Sequence, residues 1–426
     1  MAYDLTQTVF LLSMASNRAS VAQGTAQQLA TFLTYAVNQG GSCPCVADGP
    51  DVPVTGFLAS VGAQLAGGAW TVPWGPAVFQ NTNNTDDNEA DNAMFVAFNN
   101  DAANPIYVVA IAATNAVSIY DWDQEDANVG PQDMVAFPIN LNPPFDNPSV
   151  TPTGSTVPAD AQVSAGTALG VYTLCTGMID QAGATLSLID YLSNLGAPTA
   201  AKIIFTGHSL AGALAPTLAL QLWETGVLTK GGFTLQNVLV MPTAGATPGN
   251  LAFATLFNTT LSPQSAFPAG STPNAGNQLT QFNVLYWNFN DIVPRAWTQF
   301  GPYYQMTGLG TATSLIGKVK DPTIYKPICA ELGLMIGSAG LRGSGCYFTQ
   351  LLANQSLTAN WPVHYWNGQA LAWLQFPPPP AAVQPDLREL DGLLHRCRPR
   401  PRPAVLPVPQ HRHPDSADTA ADHANP

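Results

Sequence analysis

Residues 202–215 constrain the fold of this chain more than any other segment. An apolar, strand-like run at 203–205 leads into Gly207-His208-Ser209, and small residues then open a helical stretch. This order is typical of a tight turn between a strand and a helix that exposes a serine hydroxyl. Because the two backbones nearly touch at such a turn, bulky side chains are excluded on either side of the serine. Ser209 is therefore the candidate nucleophile.

The motif departs from the usual Gly-x-Ser-x-Gly pattern by one methyl group. Its fifth position is Ala211 instead of glycine. In a chain with 36 glycines such a short pattern also arises by chance. The flanking strand and helix favour the catalytic interpretation, and a base and an acid elsewhere in the chain would support it.

Composition and charge exclude several classes of protein. The chain has 426 residues, of which 46% are hydrophobic and 10% charged, so it can bury a large core. Its net charge of −13 argues against a nucleic-acid partner, which favours a clustered basic surface. No stretch approaches the ~20 apolar residues of a membrane span.

The location of the protein in the cell stays open. The short apolar run near the N-terminus follows Asp4 and is not preceded by Lys or Arg, which is a poor match to a signal peptide. We expect a soluble protein, and both extracellular and cytoplasmic locations fit the sequence.

Two regions differ sharply in composition. Strand-like and helix-like segments alternate over residues 1–376, which favours one α/β domain with a mostly parallel sheet and helices on both faces. Residues 377–426 are rich in Pro and Arg, and this composition cannot bury a core, so we predict a disordered tail. A linker, a partner-binding segment and a solvated extension are the alternatives for its role.

Local patterns predict several elements of the domain. Apolar spacing predicts a long helix over about 163–194. Two apolar runs separated by a polar turn, at 93–98 and 106–111, predict a β-hairpin. Further strands are predicted at 238–241 and 282–289.

The six cysteines are scattered along the chain. Cys43 and Cys45 are too close in sequence for an easy disulfide and have no neighbouring metal ligands. Cys329 and Cys346 could pair in an oxidising compartment. We expect neither a metal ion nor another cofactor.

The base and the acid that a catalytic serine needs follow by elimination. Histidine is the usual base near neutral pH, and four of the six histidines lie in the predicted tail. His208 adjoins Ser209, so its ring points away from the attacking face, which leaves His364. The acid is expected between serine and histidine in the chain. Asp291 directly follows a strand-like run, whereas Asp321 lies in a polar turn beside two lysines.

Several segments together resemble the class 3 (fungal-type) triacylglycerol lipases, an α/β-hydrolase family. They are the turn at 207–215, the loop at 243–250, Asn290-Asp-Ile-Val-Pro294, His364-Tyr-Trp366, and the strand 108–114 followed by Asp121-Trp122. These segments occur in the family's order over about residues 90–370. The resemblance implies an α/β-hydrolase fold with extra loops or a cap.

The resemblance also implies a mechanism and a role for each site residue. Ser209 attacks an ester carbonyl, and His364 takes its proton while Asp291 orients the imidazole. The oxyanion is held by the backbone N–H groups of Thr114 and Leu210, with the Thr114 hydroxyl as a third donor.

The sequence departs from the family pattern at two further places. Ala112-Ala113 stand where the family usually has Arg-Gly before the oxyanion residue. Pro216 lies inside the helix predicted after Ser209, where a proline removes a backbone hydrogen bond.

Residues 115–130 follow the oxyanion strand, where members of this family carry a lid. The side chains predicted to form its inner face are apolar or aromatic: Val117, Ile119, Tyr120 and Trp122. The side chains predicted to face outward are acidic: Asp121, Asp123, Glu125 and Asp126. The alternative is a fixed surface helix.

We therefore expect a triacylglycerol lipase that binds a lipid or ester substrate, including at a lipid–water interface. A short-chain carboxylesterase, a feruloyl esterase or a phospholipase A1 would use the same triad. A non-catalytic hydrolase-fold protein that binds lipid, with His364 as a buried structural histidine, is the alternative of a different class. The acyl-chain preference and the oligomeric state do not follow from the sequence.

Overall fold

The computed structural model describes residues 2–45, 50–81, 88–101, 104–115, 118, 120–126, 128–129, 133–150, 159–183, 186–267, 269–287 and 293–295. Within these ranges the α-helices are α1 (Leu5–Ser16), α2 (Ala26–Val37), α3 (Phe57–Val61), α4 (Ala165–Thr176), α5 (Leu188–Ser193), α6 (Leu210–Glu224), α7 (Val227–Lys230) and α8 (Leu251–Thr260). The strands are β1 (Gly40–Cys43), β2 (Val52–Thr55), β3 (Trp70–Phe79), β4 (Asn92–Asn99), β5 (Ile106–Ile111), β6 (Met134–Ala136), β7 (Gln162–Ser164), β8 (Ile179–Asp180), β9 (Lys202–His208), β10 (Val238–Thr243), β11 (Gln264–Ser265) and β12 (Gln281–Phe282).

A six-stranded sheet forms the centre of the described domain, in the order β10-β9-β5-β4-β3-β8. β10, β9 and β5 are parallel to one another, whereas β4, β3 and β8 join by antiparallel pairing. The α/β architecture is as predicted, but the described sheet is mixed instead of mostly parallel. The reason is that β3, β4 and β5 follow one another without an intervening helix, and such direct connections join antiparallel strands.

Helices cover both faces of this sheet. On β9, Ile204 packs in the cluster that contains α1 and α2, and Phe205 packs in the cluster that contains α4, α6 and α8. On β5, Val108 packs with Ile204 in the first cluster, and Val109 packs with Phe205 in the second. All four side chains are fully buried, as the period-2 alternation of a strand between two helical layers requires.

A further segment continues the sheet beyond β10. The Tyr286 N–H donates to the Pro242 carbonyl at 3.1 Å, and the Ala244 N–H donates to the Tyr286 carbonyl at 2.7 Å. The pairing is parallel. The strand predicted at 282–289 is therefore present here as a short bridged segment, while residues 288 and 289 lie outside the described residues.

Asn283 joins this segment to β10 with its side chain. It is fully buried, with φ of +63°, and its N–H donates to the Val240 carbonyl at 2.7 Å. Its Oδ1 accepts from the Val240 N–H at 2.7 Å, and its Nδ2 donates to the Ser262 carbonyl at 2.9 Å. The side chain thus replaces a peptide group in the ladder.

The prediction of one continuous helix over 163–194 is wrong, because a short strand separates two helices there. α4 ends at Gly177, where a Cβ would lie 3.0 Å from the ring of Phe79, and the chain then forms β8 at the sheet edge. A second helix, α5, begins at Leu188. The hairpin predicted at 93–98 and 106–111 is confirmed as β4 and β5.

Cys43 and Cys45 form a disulfide, which corrects the expectation that they are too close. Their Cα atoms are 5.3 Å apart. A fully extended chain would separate them by about 7 Å, so a bend at Pro44 brings the sulfur atoms together. Cys329, Cys346 and the predicted domain boundary at 376 lie outside the described residues.

Candidate active site

Ser209 lies at the carboxyl end of β9, immediately before α6. Its backbone has φ of +58° and ψ of −123°, a conformation that non-glycine residues rarely adopt. The Ser209 N–H donates to the Thr243 carbonyl at 3.0 Å, and the Gly212 N–H donates to the Ser209 carbonyl at 2.8 Å. A strained serine on a strand-to-helix turn is the geometry of an exposed nucleophile.

Missing side chains allow this turn to close. A Cβ on Gly207 would lie 2.4 Å from the Cβ of Ala211, and a Cβ on Gly212 would lie 2.5 Å from the Cα of Gly245. Real Cβ atoms do not approach so closely. The methyl group of Ala211 therefore fits at the fifth position of the motif because Gly207 leaves room for it.

The packing around α6 also accounts for Pro216. A proline cannot donate to the carbonyl four residues earlier, so the Gly212 carbonyl lacks its helical partner. Gly245, in the loop after β10, packs against that same carbonyl, since a Cβ there would lie 2.4 Å from it. Pro216 is thus tolerated because the loop after β10, instead of the next turn of α6, covers the Gly212 carbonyl.

Thr114 lies in the loop after β5, beside the Ser209 turn. Ile111 of β5 pairs in parallel register with Gly207 of β9, so the carboxyl-terminal ends of both strands lie side by side. Leu210 is the first residue of α6, where backbone N–H groups have no partner within the helix. The structure therefore brings the two predicted oxyanion donors to neighbouring strand ends.

The Thr114 hydroxyl corrects one part of the expectation. It donates to Oδ2 of Asp126 at 3.1 Å, so its proton is engaged and does not serve as a third oxyanion donor in this arrangement. The backbone N–H of Thr114 has no acceptor among the described residues.

His208 is directed toward the neighbouring strand, as its place in the sequence predicts. Its Nδ1 lies 3.1 Å from the Thr243 hydroxyl oxygen. Burial lowers the pKa of His208 to about 4, so the ring is neutral near pH 7. A histidine with so low a pKa is a weak base, and its ring is held against β10, so the role of base falls to another histidine.

Four acidic side chains surround the loop after β5: Asp91, Asp121, Glu125 and Asp126. Asp121 accepts the Asn115 N–H at 2.6 Å, and Glu125 accepts from Asn92 Nδ2 at 3.1 Å. In the described part of the chain no lysine or arginine pairs with the four carboxyls. Burial is therefore the main cause of a raised pKa for all four, to about 8 for Glu125 and about 7 for Asp126.

These acids overturn the predicted outer face of a lid. Asp121 and Glu125 are buried, not solvated. Residues Asp121–Asp126 form a π-helical turn, which is wider than an α-helix and changes the side-chain spacing assumed for an amphipathic lid. Tyr120, predicted on the inner face, is half-buried, and its ring centroid lies 5.5 Å from that of Phe79. Val117, Ile119 and the side chain of Trp122 lie outside the described residues.

The raised pKa of Glu125 predicts a stability that falls with rising pH. The folded state favours the protonated form, so unfolding releases a proton between the ordinary pKa near 4.5 and about 8. Each such group changes the free energy of unfolding by about 1.4 kcal/mol per pH unit within that window. Glutamine mimics the protonated acid, so we expect Glu125→Gln to flatten the decline and to raise the Tm at pH 8 but not at pH 4.5.

Thermal unfolding of both proteins from pH 4.5 to 9 measures this effect. Glu224→Gln makes the same chemical change at an exposed position of α6 and should leave the curve of the wild type unchanged. If Tm fell equally with pH in Glu125→Gln and the wild type, Glu125 would not be the group that is protonated in the folded state.

Two of the predicted triad residues, Asp291 and His364, lie outside the described residues. Two described residues of the site were not predicted in these roles: Asp126, which accepts from the Thr114 hydroxyl, and Asn17, whose Oδ1 accepts the Ala113 N–H at 2.7 Å. The capping box of Asp4 and Gln7 is a sequence signal for the start of α1, but no sequence signal places Asn17, at the other end of this helix, beside Ala113.

A parallel-stranded core with a strained serine between a strand and a helix, and a second strand-end loop beside it, defines an α/β-hydrolase. Residues 148–300 match the family model described as Lipase (class 3). Over that stretch, which is about a third of the chain, the protein is similar to the class 3 lipases.

Solved structures similar to this chain are also lipases. M37 lipase is 26% identical over 69% of this chain and 70% of its own length, with a TM-score of 0.41. Lip2 lipase from Yarrowia lipolytica is 16% identical over 63% of this chain and 71% of its own, with a TM-score of 0.32. Lipase II from Rhizopus niveus is 18% identical over 48% and 56%, with a TM-score of 0.27. No curated protein matches the chain.

Metal sites and membrane-spanning helices are both absent from the described residues. No group of His, Cys, Asp and Glu side chains there is arranged to hold a metal ion. None of the helices in the described ranges has the length and apolar character of a membrane span.

Proposed function

We propose that the protein is a triacylglycerol lipase that hydrolyses acylglycerols through Ser209, His364 and Asp291. The observation that carries the proposal is the strained backbone of Ser209 beside the Thr114 loop. This geometry presents one hydroxyl, together with two N–H groups that have no acceptor among the described residues, at the carboxyl-terminal end of the parallel strands, which is what acyl transfer requires.

In the proposed cycle, the Ser209 oxygen attacks the ester carbonyl while His364 accepts the hydroxyl proton. The negative charge that develops on the carbonyl oxygen is stabilised by the N–H groups of Leu210 and Thr114. The bond to the alcohol breaks as His364 returns the proton to it. Water then attacks the acyl-enzyme while His364 takes a proton from it. The bond between the acyl carbon and the Ser209 oxygen breaks as His364 gives that proton to the oxygen, and the fatty acid leaves.

The strand segment beside β10 supports Asp291 as the acid. Tyr286 pairs in parallel with β10, so the chain travels toward the same edge of the sheet as Ser209. Asp291 follows Trp287 by four residues, and four residues span at most about 14 Å. Asp291 is therefore within reach of the edge where the serine lies, whereas Asp321 has no such constraint.

A fluorophosphonate probe tests the proposal directly, because it modifies only a serine that an adjacent base activates. We expect the wild type to be labelled at Ser209. Asp291→Asn and His364→Ala should lower kcat for a soluble p-nitrophenyl ester by about 10³- to 10⁴-fold. Asp321→Asn is the matched control and should keep the activity of the wild type.

The outcomes separate the proposed lipase from its alternatives. An unlabelled wild type would indicate a non-catalytic lipid-binding protein. A labelled enzyme that hydrolyses only short acyl chains, feruloyl esters or the sn-1 ester of phospholipids would be an esterase of that kind. A rise in activity when the ester exceeds its solubility limit would support a mobile lid.

A further inference from the structure

Two side chains hold the loop that carries Thr114, one through the residue before Thr114 and one through the residue after it. On one side, the Ala113 N–H donates to Asn17 Oδ1 at 2.7 Å. On the other side, the Asn115 N–H donates to Asp121 Oδ2 at 2.6 Å. Between them, the Thr114 N–H has no acceptor in the described part of the chain. Fixing the two flanking peptide groups fixes the direction of the N–H between them.

Asn17 is itself firmly oriented. It caps the C-terminus of α1, where its backbone N–H donates to the carbonyls of Met14 and Ala15. Its Nδ2 donates to the Ser13 carbonyl at 3.3 Å, so the amide nitrogen is directed to the helix and the amide oxygen to the loop. Since a carbonyl accepts only from the nitrogen and an N–H donates only to the oxygen, both contacts agree on this orientation.

On the side that faces α1, the loop has no polar side chain of its own for this support. Residues 112 and 113 are alanines, and a cavity of about 10 Å³ remains between them and the end of α1, lined also by Ser16 and Asp91. A cavity of that size holds at most one water molecule. The amide of Asn17 is therefore the side-chain contact that joins α1 to the backbone of this loop.

We infer that Asn17 is a positioning residue for the oxyanion hole, an inference that rests on the proposed ester hydrolysis. Asn17 lies far outside residues 148–300, and it acts through the Ala113 peptide without contact to substrate. Its amide aligns the Thr114 N–H with the charge that develops in the transition state, so its loss lowers kcat and leaves KM nearly unchanged.

Three variants test this inference with a soluble p-nitrophenyl ester. We expect Asn17→Ala to lower kcat about 10-fold, with KM within 2-fold, since a donor that is misaligned loses part of the 10²- to 10³-fold effect of a whole donor. Asn17→Asp keeps an oxygen that accepts the Ala113 N–H and should restore most of kcat. Ser16→Ala removes a different hydrogen bond to the same Ser13 carbonyl, of 2.6 Å, and should keep kcat.

The rate of fluorophosphonate labelling gives a second readout, because phosphonylation places an oxygen in the same hole. It should fall with kcat in Asn17→Ala. If that variant does not fold, Asn17→Ser, whose hydroxyl is too short to reach Ala113, takes its place. Equal rates for the wild type and a folded Asn17→Ala, or equal losses in Asn17→Ala and Ser16→Ala, would overturn the inference alone. An unlabelled wild type would overturn the proposed function as well.

Discussion

Ser209→Ala is expected to lower ester hydrolysis by at least ~10⁴-fold while the protein stays folded. Without the hydroxyl no acyl-enzyme forms, and only the oxyanion donors and substrate binding remain to accelerate attack by water. The side chain is half-buried at the end of β9, so removing one oxygen leaves no cavity in the core. Steady-state kinetics with a p-nitrophenyl ester, together with the Tm, measure both parts of this prediction.

A control serine and a second substitution sharpen the result. Ser193→Ala, in α5, should change neither the rate nor the Tm. Ser209→Gly should be equally inactive but more stable than the wild type by about 1 kcal/mol, because glycine adopts a φ of +58° without strain. If Ser209→Ala kept more than a hundredth of the wild-type rate, another group would have to be the nucleophile.

Gly212→Ala is expected to cost about 3 kcal/mol of the free energy of unfolding, or to prevent folding. Its Cβ would lie 2.5 Å from the Cα of Gly245 and 2.7 Å from the carbonyl oxygen of Thr243. Both atoms belong to the backbone at the end of β10, so relief requires the strand end or α6 to move. Urea denaturation measures the effect.

Gly62→Ala provides the matched control for this substitution. There the nearest atom to a new Cβ is Leu58 Cβ at 3.8 Å, an ordinary contact, so stability should stay within about 0.5 kcal/mol of the wild type. A Gly212→Ala protein as stable as the Gly62→Ala protein would mean that the crossing of α6 and the loop after β10 is looser than the structure shows.

The parts of the fold that depend on local pattern could be predicted. The turn at Ser209 and the hairpin of β4 and β5 are each encoded by contiguous residues, and both are found where expected. The prediction of one long helix over 163–194 was wrong because β8 interrupts it. β8 forms only where β3 provides a partner, and that pairing joins residues distant in sequence. A mixed sheet could not be told from a parallel one for the same reason.

The site divides in a similar way. The parallel register of β5 and β9 brings the predicted Thr114 and Leu210 to one edge beside Ser209, while Asp291 and His364 stay predictions. Asp121 and Glu125 were assigned to solvent because acidic residues are rarely buried without a cation. Their burial depends on hydrogen bonds from Asn115 and Asn92, which no periodicity of residues 115–130 reveals.

The side chain of Asn283 has a consequence for how copies of this protein meet. By occupying both the N–H and the carbonyl partner positions of Val240, Asn283 and the segment after it cover the β10 side of the sheet. At the opposite side the last strand, β8, is only two residues long. An open, flat strand edge is what lets chains pair into aggregates. At Val240 the asparagine removes such an edge, because both backbone groups that a second chain could pair with are already bonded.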